Sequence, residues 1–405
     1  MEKKLLTNGN TFKRTDGRWC GVVWYMDENG ERQRRSFSGK TKTAVQEKIT
    51  AYITAFYDEP APTYDIANTT LQDGMQHWLE VFKFPAVERT TYDRLECTSR
   101  VHIYPTLGKR LVLSITATDL RTLLNKQMHD GYAYTTVKKT HDLLGEYFRH
   151  LAEEEQIPKN PMIAVPMIKK ANFLASQGKE YKPTCETVTV FTPDELECFK
   201  AECFRTWGTG KPLYQQSAAY IFMLNTGLRT GEMLGLLNSD IDLENRTVQI
   251  VRGVKEVARR DGKDATSGRE VIVGNPKSAT SRRVVPLNNT AIEMVHKLRE
   301  EAYFGENTPL VPDSNGDVTR PVNFRKRYYR ILEAAGIETK GLHTLRHTFA
   351  TTLINGIKQP DGTVRQLTPR EVADLLGHTT SEITERYYVK RDLSRLNGIT
   401  DGFEM

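Results

Sequence analysis

The sequence predicts a multidomain chain, mainly α-helical with small β-sheets (α+β), in three parts. Three observations carry this. β-forming runs and turn residues fill residues 1–60, apolar residues recur at helical spacing over 66–170, and strand-like and helical segments alternate over 187–405. A length of 405 residues fits two or three domains with a sizeable core.

In the first part, Gly17-Arg18-Trp19 and Asp27-Glu28-Asn29-Gly30 are turn chemistry. The β-rich run Trp19 to Tyr25 and the run Arg32 to Phe37 read as a hairpin. Thr43-Ala44-Val45-Gln46 reads as a capping box opening a helix that ends near Tyr57, and Glu59 to Pro62 as a linker. In the second part, Leu71, Met75, Trp78, Leu79 and Phe82 form one apolar stripe. Thr116 to Asp119 opens another helix, striped by Leu120, Leu123 and Leu124. Val137, His141, Leu144, Tyr147, Phe148 and Leu151 line a third. Pro158, Pro161 and Pro166 end the region, and Ser176 to Pro183 reads as a second linker. In the third part, Thr192-Pro193-Asp194-Glu195 and Thr368-Pro369-Arg370-Glu371 both combine an N-cap, proline at the first helical position and an acid at the third. Thr247 to Val251 and Arg283 to Leu287 read as strands.

Composition narrows the function classes. No apolar run approaches the ~20 residues that span a bilayer, and the N-terminus is basic without the apolar stretch of a signal peptide. The five cysteines, Cys20, Cys97, Cys185, Cys198 and Cys203, are odd in number and scattered, without a C-x-x-C pair. That pattern argues against a disulfide framework and a zinc ribbon, and for a reducing, cytoplasmic setting. A net charge of +6 is compatible with nucleic acid, but its distribution matters more than its sum.

Three short motifs carry chemistry. In Thr226-Gly227-Leu228-Arg229-Thr230-Gly231-Glu232, an arginine between two glycines at a helix start can aim a guanidinium at a phosphate, with Glu232 holding it. Read alone, the string also fits a surface arginine with an i,i+3 ion pair. In His343-Thr344-Leu345-Arg346-His347, the spacing puts His343, Arg346 and His347 on one helix face. Two histidines at i,i+4 suggest zinc, but the metalloprotease motif needs Glu where Thr344 stands, so no metal site is expected. In Leu375-Leu376-Gly377-His378, Gly377 suits a helix C-cap and His378 is expected to be exposed and oriented. Arg386-Tyr387-Tyr388 follows, and a tyrosine becomes a useful nucleophile when cations surround it.

The ordered set resembles the tyrosine-recombinase (lambda-type phage integrase) family, closest to integrases of conjugative transposons. It runs from TGLRTGE through Asn275-Pro276-Lys277 to Arg283-Val284-Val285-Pro286-Leu287, then HTLRH, LLGH and a tyrosine. The three-part layout extends the resemblance over nearly the whole chain. It implies an N-terminal three-stranded arm-type DNA-binding domain (1–60), a helical SAM-like core-binding domain (66–170) and a catalytic domain with C-terminal tail (187–405). It implies Arg229, Lys277, His343, Arg346 and His378 as catalytic residues, with Glu232 in support. The nucleophile lies nine or ten residues after His378. Tyr387 and Tyr388 both qualify, and Ile383-Thr384 to Tyr388 resembles the family's I-T-x-x-x-Y form, which favours Tyr388. One departure is the lengthened Asn355 to Leu367 connection, read as a polar surface loop.

What the resemblance implies chemically is a metal- and ATP-independent strand transfer. Tyrosine attacks a backbone phosphate, forms a 3′-phosphotyrosyl link and frees a 5′-hydroxyl, and two such exchanges pass through a Holliday junction. The implied partners are double-stranded DNA at core and arm sites and three further copies of the chain. An excisionase-type directionality factor is a candidate, and no cofactor or membrane is expected. Arg32, Arg34 and Arg35 on the N-terminal hairpin are candidate DNA contacts, since a major groove admits a two-stranded ribbon. A solvated charged strand is the alternative. A bacterial or phage origin follows from the same resemblance, and fits the cytoplasmic setting expected from composition. In the tail, Leu393 and Leu396 form a short apolar stripe that either folds back on its own domain or docks on a neighbouring copy. Rival readings are a type IB topoisomerase and a catalytically silent DNA-binding relative.

Overall fold

A computed structural model describes residues 4–7, 9–14, 17–26, 31–57, 65–182, 184–261, 264–274, 282–359 and 361–388. Lys277 and the tail from residue 389 therefore lie outside the described residues. The architecture is mixed and mainly helical, with small antiparallel sheets.

The N-terminal sheet comprises β1 (Lys4–Leu5), β2 (Asn10–Lys13), β3 (Trp19–Met26) and β4 (Arg32–Gly39). β4 pairs with β3 along its whole length, while β1 and β2 pair with successive halves of β3. The sheet is therefore three lanes wide, with one lane broken at Gly9 (φ 85°). Helix α1 (Lys42–Tyr57) packs Val45 and Ile49 against Val23, forming a small core of its own. Its first turn is capped by Thr41, whose hydroxyl accepts from Ala44 N at 3.2 Å. The expected cap at Thr43 is thus displaced by two residues, because Lys42 already has helical hydrogen bonding. Arg34 pairs with Trp24 and Arg32 with Met26, while Arg35 pairs with the buried Val23. Pleating therefore puts Arg32 and Arg34 on the open face and Arg35 on the face that carries α1. All three are exposed, and the Arg32 guanidinium lies 4.5 Å over the Trp24 ring.

The helical part comprises α2 (Leu71–Trp78), α3 (Arg89–Thr98), α4 (Tyr104–Leu107), α5 (Ala117–His129), α6 (Tyr134–Glu153) and α7 (Lys170–Ser176). Thr116 and Asp119 form the expected capping box of α5. Leu71, Met75, Trp78, Leu79, Leu120, Leu144, Tyr147 and Phe148 are buried in one core. Phe82 departs from the expected stripe and is exposed. The helix continues past Trp78 as a π-helical stretch, Leu79–Lys83, whose wider turn rotates Phe82 away from the core. Phe173 on α7 closes the same core, so this packed unit runs past residue 170.

The C-terminal part comprises α8 (Thr184–Thr187), α9 (Pro193–Cys203), α10 (Ala218–Thr226), α11 (Thr230–Gly235), β5 (Ile241–Asp242), β6 (Thr247–Ile250), β7 (Gly253–Asp261), β8 (Asp264–Gly274) and β9 (Arg283–Pro286). Then follow α12 (Asn289–Glu301), α13 (Pro321–Ala334), α14 (His343–Asn355), β10 (Ile357–Lys358), β11 (Val364–Arg365), α15 (Pro369–Leu376) and α16 (Ser381–Tyr388). The capping boxes at Thr192 and Thr368 form as expected. β5, β6 and β9 make one antiparallel sheet and β7–β8 a separate hairpin. The lengthened connection after α14 is partly ordered as the small β10–β11 hairpin. A second, smaller cluster of Ala350, Leu353, Val372, Leu376 and Tyr388 ties α14, α15 and α16 together.

The β7–β8 hairpin also reaches the helical part. Arg260 is held by Asp93 at 2.9 Å and Glu96 at 2.6 Å and lies 4.6 Å over Tyr92. Ala258 N donates to Asp93 at 2.6 Å, and Arg89 donates to the Ala258 carbonyl at 3.0 Å. The base of the hairpin packs on α11, where a Cβ at Gly231 would sit 2.6 Å from the Val254 carbonyl. Glycine at 231 is thus a close-approach residue that sets the strand directly against the helix following Arg229.

Candidate active site

The site is assembled where α10, α11, β9, α14, α15 and α16 meet. α10 ends at Gly227 in the left-handed conformation (φ 65°). A Cβ there would lie 2.5 Å from the Phe349 ring and 2.8 Å from Leu376, so both backbone angle and packing require glycine. This tight stop brings the chain to Arg229 immediately before α11. Arg229 Nη1 donates to Glu232 Oε1 at 2.6 Å, and Glu232 Oε2 accepts the Arg229 backbone N–H at 2.9 Å. The Arg229 side chain remains about one-third exposed (36%), and its Nη1 is the guanidinium nitrogen that Glu232 engages.

Arg346 is the opposite case. It is 1% exposed, and its Nη1 and Nη2 donate to the carbonyls of Gly227 (2.8 Å) and Leu376 (2.7 Å). It thereby pins the C-terminal ends of α10 and α15 together. Burial, then the nearby Arg229, pulls its pKa down to about 9, so the guanidinium is still charged at neutral pH. Gly377 caps α15 in the left-handed conformation, as the sequence suggested. His378 differs from expectation, being half-buried rather than exposed. Its Nδ1 is hydrogen-bonded to Thr384 Oγ1 at 2.8 Å, because α16 folds back across it. Burial, followed by the charges of Arg346, Arg229 and Arg283, pushes its pKa down to about 3. His343 is exposed at the edge of the cluster, and desolvation, then His347 and Arg346, lower its pKa.

Two residues that the motifs contain, but to which the sequence assigned no role in the site, complete the cluster. In β9, Val285 is buried and Val284 is 56% exposed, so alternation turns Arg283 inward. Arg283 donates to both Glu232 oxygens (3.2 and 2.9 Å) and, through Nε, to the Leu375 carbonyl at 2.7 Å. Inward alternation next to a buried valine was the available sequence signal for it. The other is His347, whose Nδ1 is 2.7 Å from the Tyr388 hydroxyl oxygen. Tyr388 is buried at 7% exposure, and its pKa is pushed up to about 12 by burial, against the lowering charges of Arg346 and Arg229. Tyr387 is exposed at 37% and stacks on His347 with ring centroids 6.1 Å apart.

Glu232, Arg229, His343, Arg346, His378 and Tyr388 are therefore gathered in one place. Arg32, Arg34 and Arg35 belong to the separate N-terminal sheet. Glu232 is the carboxylate that answers the guanidiniums among the described residues. Burial alone would raise its pKa, but the hydrogen bonds and charge of Arg283, then Arg229, hold it at about 2. A carboxylate held that low contributes stability that is complete above its ordinary pKa near 4.5 and is lost as pH falls towards 2. Glu232→Gln is expected to destabilise the chain by about 3–5 kcal/mol at pH 7, because Arg283 stays buried without its counter-ion. Urea unfolding at pH 7 and pH 3 checks this, and the gap between variant and wild type should narrow at the lower pH.

Three guanidiniums around one carboxylate leave a surplus of positive charge that suits an anion carrying more than one charge, such as a phosphodiester in its transition state. Among the described residues no group of three or more His, Cys, Asp or Glu is placed to hold a metal ion, and no helix is long and apolar enough to cross a membrane.

The model of the phage integrase family matches residues 190–394, just over half the chain. A XerC-like tyrosine recombinase of Caldanaerobacter subterraneus subsp. tengcongensis is 27% identical over 403 residues, covering 96% of this chain and 95% of its own. The fold is similar to that of the Tn1549 transposon integrase in complex with a circular intermediate DNA. That likeness has a TM-score of 0.64 at 19% identity and covers 83% of this chain and all of the other. It is also similar to a lambda integrase tetramer bound to a Holliday junction, with a TM-score of 0.57 at 17% identity over 95% of this chain and 98% of the other. A cation-lined tyrosine site, the family match and a relative of nearly equal length lead to one assignment: the chain belongs to the phage integrase family and is a tyrosine-type site-specific DNA recombinase.

Proposed function

We propose that the chain integrates and excises a mobile DNA element, cutting and rejoining double-stranded DNA through a 3′-phosphotyrosyl intermediate and a Holliday junction. The observation that supports this best is the buried Tyr388 hydroxyl set beside Arg346 and Arg229. In this reading Arg229 and Arg346 grip the non-bridging oxygens of the scissile phosphate. Glu232 orients Arg229. Tyr388 attacks phosphorus, the bond to the 5′-oxygen breaks, and Lys277 protonates that leaving oxygen. His343 and His378 hydrogen-bond the phosphate. The phosphotyrosyl bond conserves the phosphodiester energy, so no ATP is invoked, and the two guanidiniums take the charge-stabilising place that metal ions hold in other nucleases.

The separate cores of the three parts support an arm-type domain over 1–60, a core-binding domain over 66–170 extended by α7, and a catalytic domain over 187–405. Arg32 and Arg34, with Arg35 at the edge of the opposite face, would meet arm-site DNA. Four copies would act on two duplexes, with an excisionase-type factor setting direction, in a bacterial or phage-derived cytoplasmic setting. The test is a nicked suicide duplex carrying the joined ends of the element. A covalent protein–DNA adduct, formed equally well in EDTA, is the expected product. Magnesium-dependent cutting without an adduct would refute the mechanism. Efficient relaxation of plasmids lacking the element's ends would instead indicate a topoisomerase.

A further inference from the structure

Accepting Tyr388 as the nucleophile, we propose that His347 is the general base that takes the tyrosine proton during strand cleavage. Its Nδ1 lies 2.7 Å from the Tyr388 oxygen, within the reach of about 2.6–3.2 Å that a general base needs. Among the described residues it is the side chain hydrogen-bonded to that oxygen. The other two imidazoles are placed differently. His378 has its Nδ1 engaged by Thr384, and His343 stands exposed at the edge of the cluster without a hydrogen bond to Tyr388.

The surroundings suit the role. Burial, then Arg346, lowers the His347 pKa, so the ring is neutral at physiological pH and can accept a proton. With its proton on Nε2, Nδ1 offers a lone pair to the hydroxyl. The groups facing the ring are His343 at 4.7 Å between centroids, Tyr387 stacked at 6.1 Å, and Tyr388 itself, with Arg346 next to it on α14. None of these is an anion that would hold the imidazole protonated. The tyrosine also needs help. A hydroxyl pushed up to about 12 by burial hardly ionises alone at neutral pH, so a base in contact supplies what solvent cannot.

The step balances as follows in atoms and charge. The Tyr388 O–H bond breaks and its proton passes to His347 Nδ1 as the phenolic oxygen bonds phosphorus. The bond to the 5′-oxygen breaks, and that oxygen takes a proton from the acid proposed at Lys277. On rejoining, the 5′-hydroxyl gives its proton back to that group, and the departing phenolate recovers its own from His347. The like charge of Arg346 keeps the imidazolium short-lived and favours this return.

Single-turnover cleavage of the nicked suicide duplex tests the assignment, using His347→Gln with either tyrosine or 3,5-difluorotyrosine at position 388. Glutamine can still accept the hydrogen bond but cannot take the proton. The expected result is a cleavage rate about 10²–10³-fold below wild type, with DNA binding and thermal midpoint unchanged. The fluorinated phenol, which ionises more readily, should recover most of that loss. Wild-type cleavage by His347→Gln, or a loss that difluorotyrosine leaves unrepaired, overturns the base role. So does faster cleavage by His347→Ala, which would make the bond a parking contact. Normal cleavage by Tyr388→Phe would instead remove the nucleophile assignment on which the inference rests.

Discussion

Tyr388→Phe is expected to abolish the covalent adduct with nicked DNA, a loss of at least about 10⁴-fold, the scale seen when a covalent nucleophile is removed. Tyr387→Phe should leave the adduct in place. The two neighbours are separated by environment. Tyr388 is buried in the cluster joining α14, α15 and α16, with its hydroxyl on His347 and its charge environment set by Arg346 and Arg229. Tyr387 is exposed and meets His347 by ring stacking. Removing the Tyr388 oxygen costs one hydrogen bond, about 1 kcal/mol, so the fold should survive. Denaturing gels with radiolabelled duplex read the result directly. An undiminished adduct in Tyr388→Phe that vanishes in Tyr387→Phe would exchange their roles.

The second large effect is expected at Arg229→Lys. The guanidinium uses one nitrogen on Glu232 and keeps about a third of its side chain exposed, so one planar group can hold the carboxylate and an incoming phosphate oxygen together. An ammonium is a point charge and reaches one or the other. The cleavage rate should fall about 10²–10³-fold, as when one preorganised donor to a developing oxyanion is lost. DNA affinity should change little, because the net charge is kept and phosphate contacts elsewhere hold the duplex. Gel shifts alongside single-turnover cleavage separate the two effects. A variant that cleaves at the wild-type rate would remove Arg229 from the reaction.

The chemistry was legible in the chain because most of it is local. Gly227 ends one helix, and Arg229, which begins the next, lies three positions from the Glu232 that holds it. Thr116, Thr192 and Thr368 announce their helices through residues three positions on. The i,i+3,i+4 spacing of His343, Arg346 and His347 places them on one face once the helix forms. These relations span a single helical turn, so hydrogen-bond periodicity alone determines them. The β3–β4 hairpin was readable from β-forming runs and turn residues, whereas the strands β1 and β2 that complete the sheet were not.

Other features follow from contacts between distant segments. Arg283 meets Glu232 across 51 positions, which requires β9 to pair with β6 and to lie against the end of α15. The π-helical stretch that turns Phe82 outward comes from one turn's change of hydrogen-bond spacing, which the apolar pattern does not encode. His378 is half-buried because α16 returns over it, and the same return puts Tyr388 on His347 across 41 positions. The sequence alone therefore determined the helix starts at Thr116, Thr192 and Thr368, the β3–β4 hairpin and the motif residues, through local forces acting over a helical turn or a hairpin turn. Which tyrosine is buried, which imidazole touches it and which arginine shares Glu232 were decided by tertiary packing, because those partners meet only after separate helices and strands close on a common core.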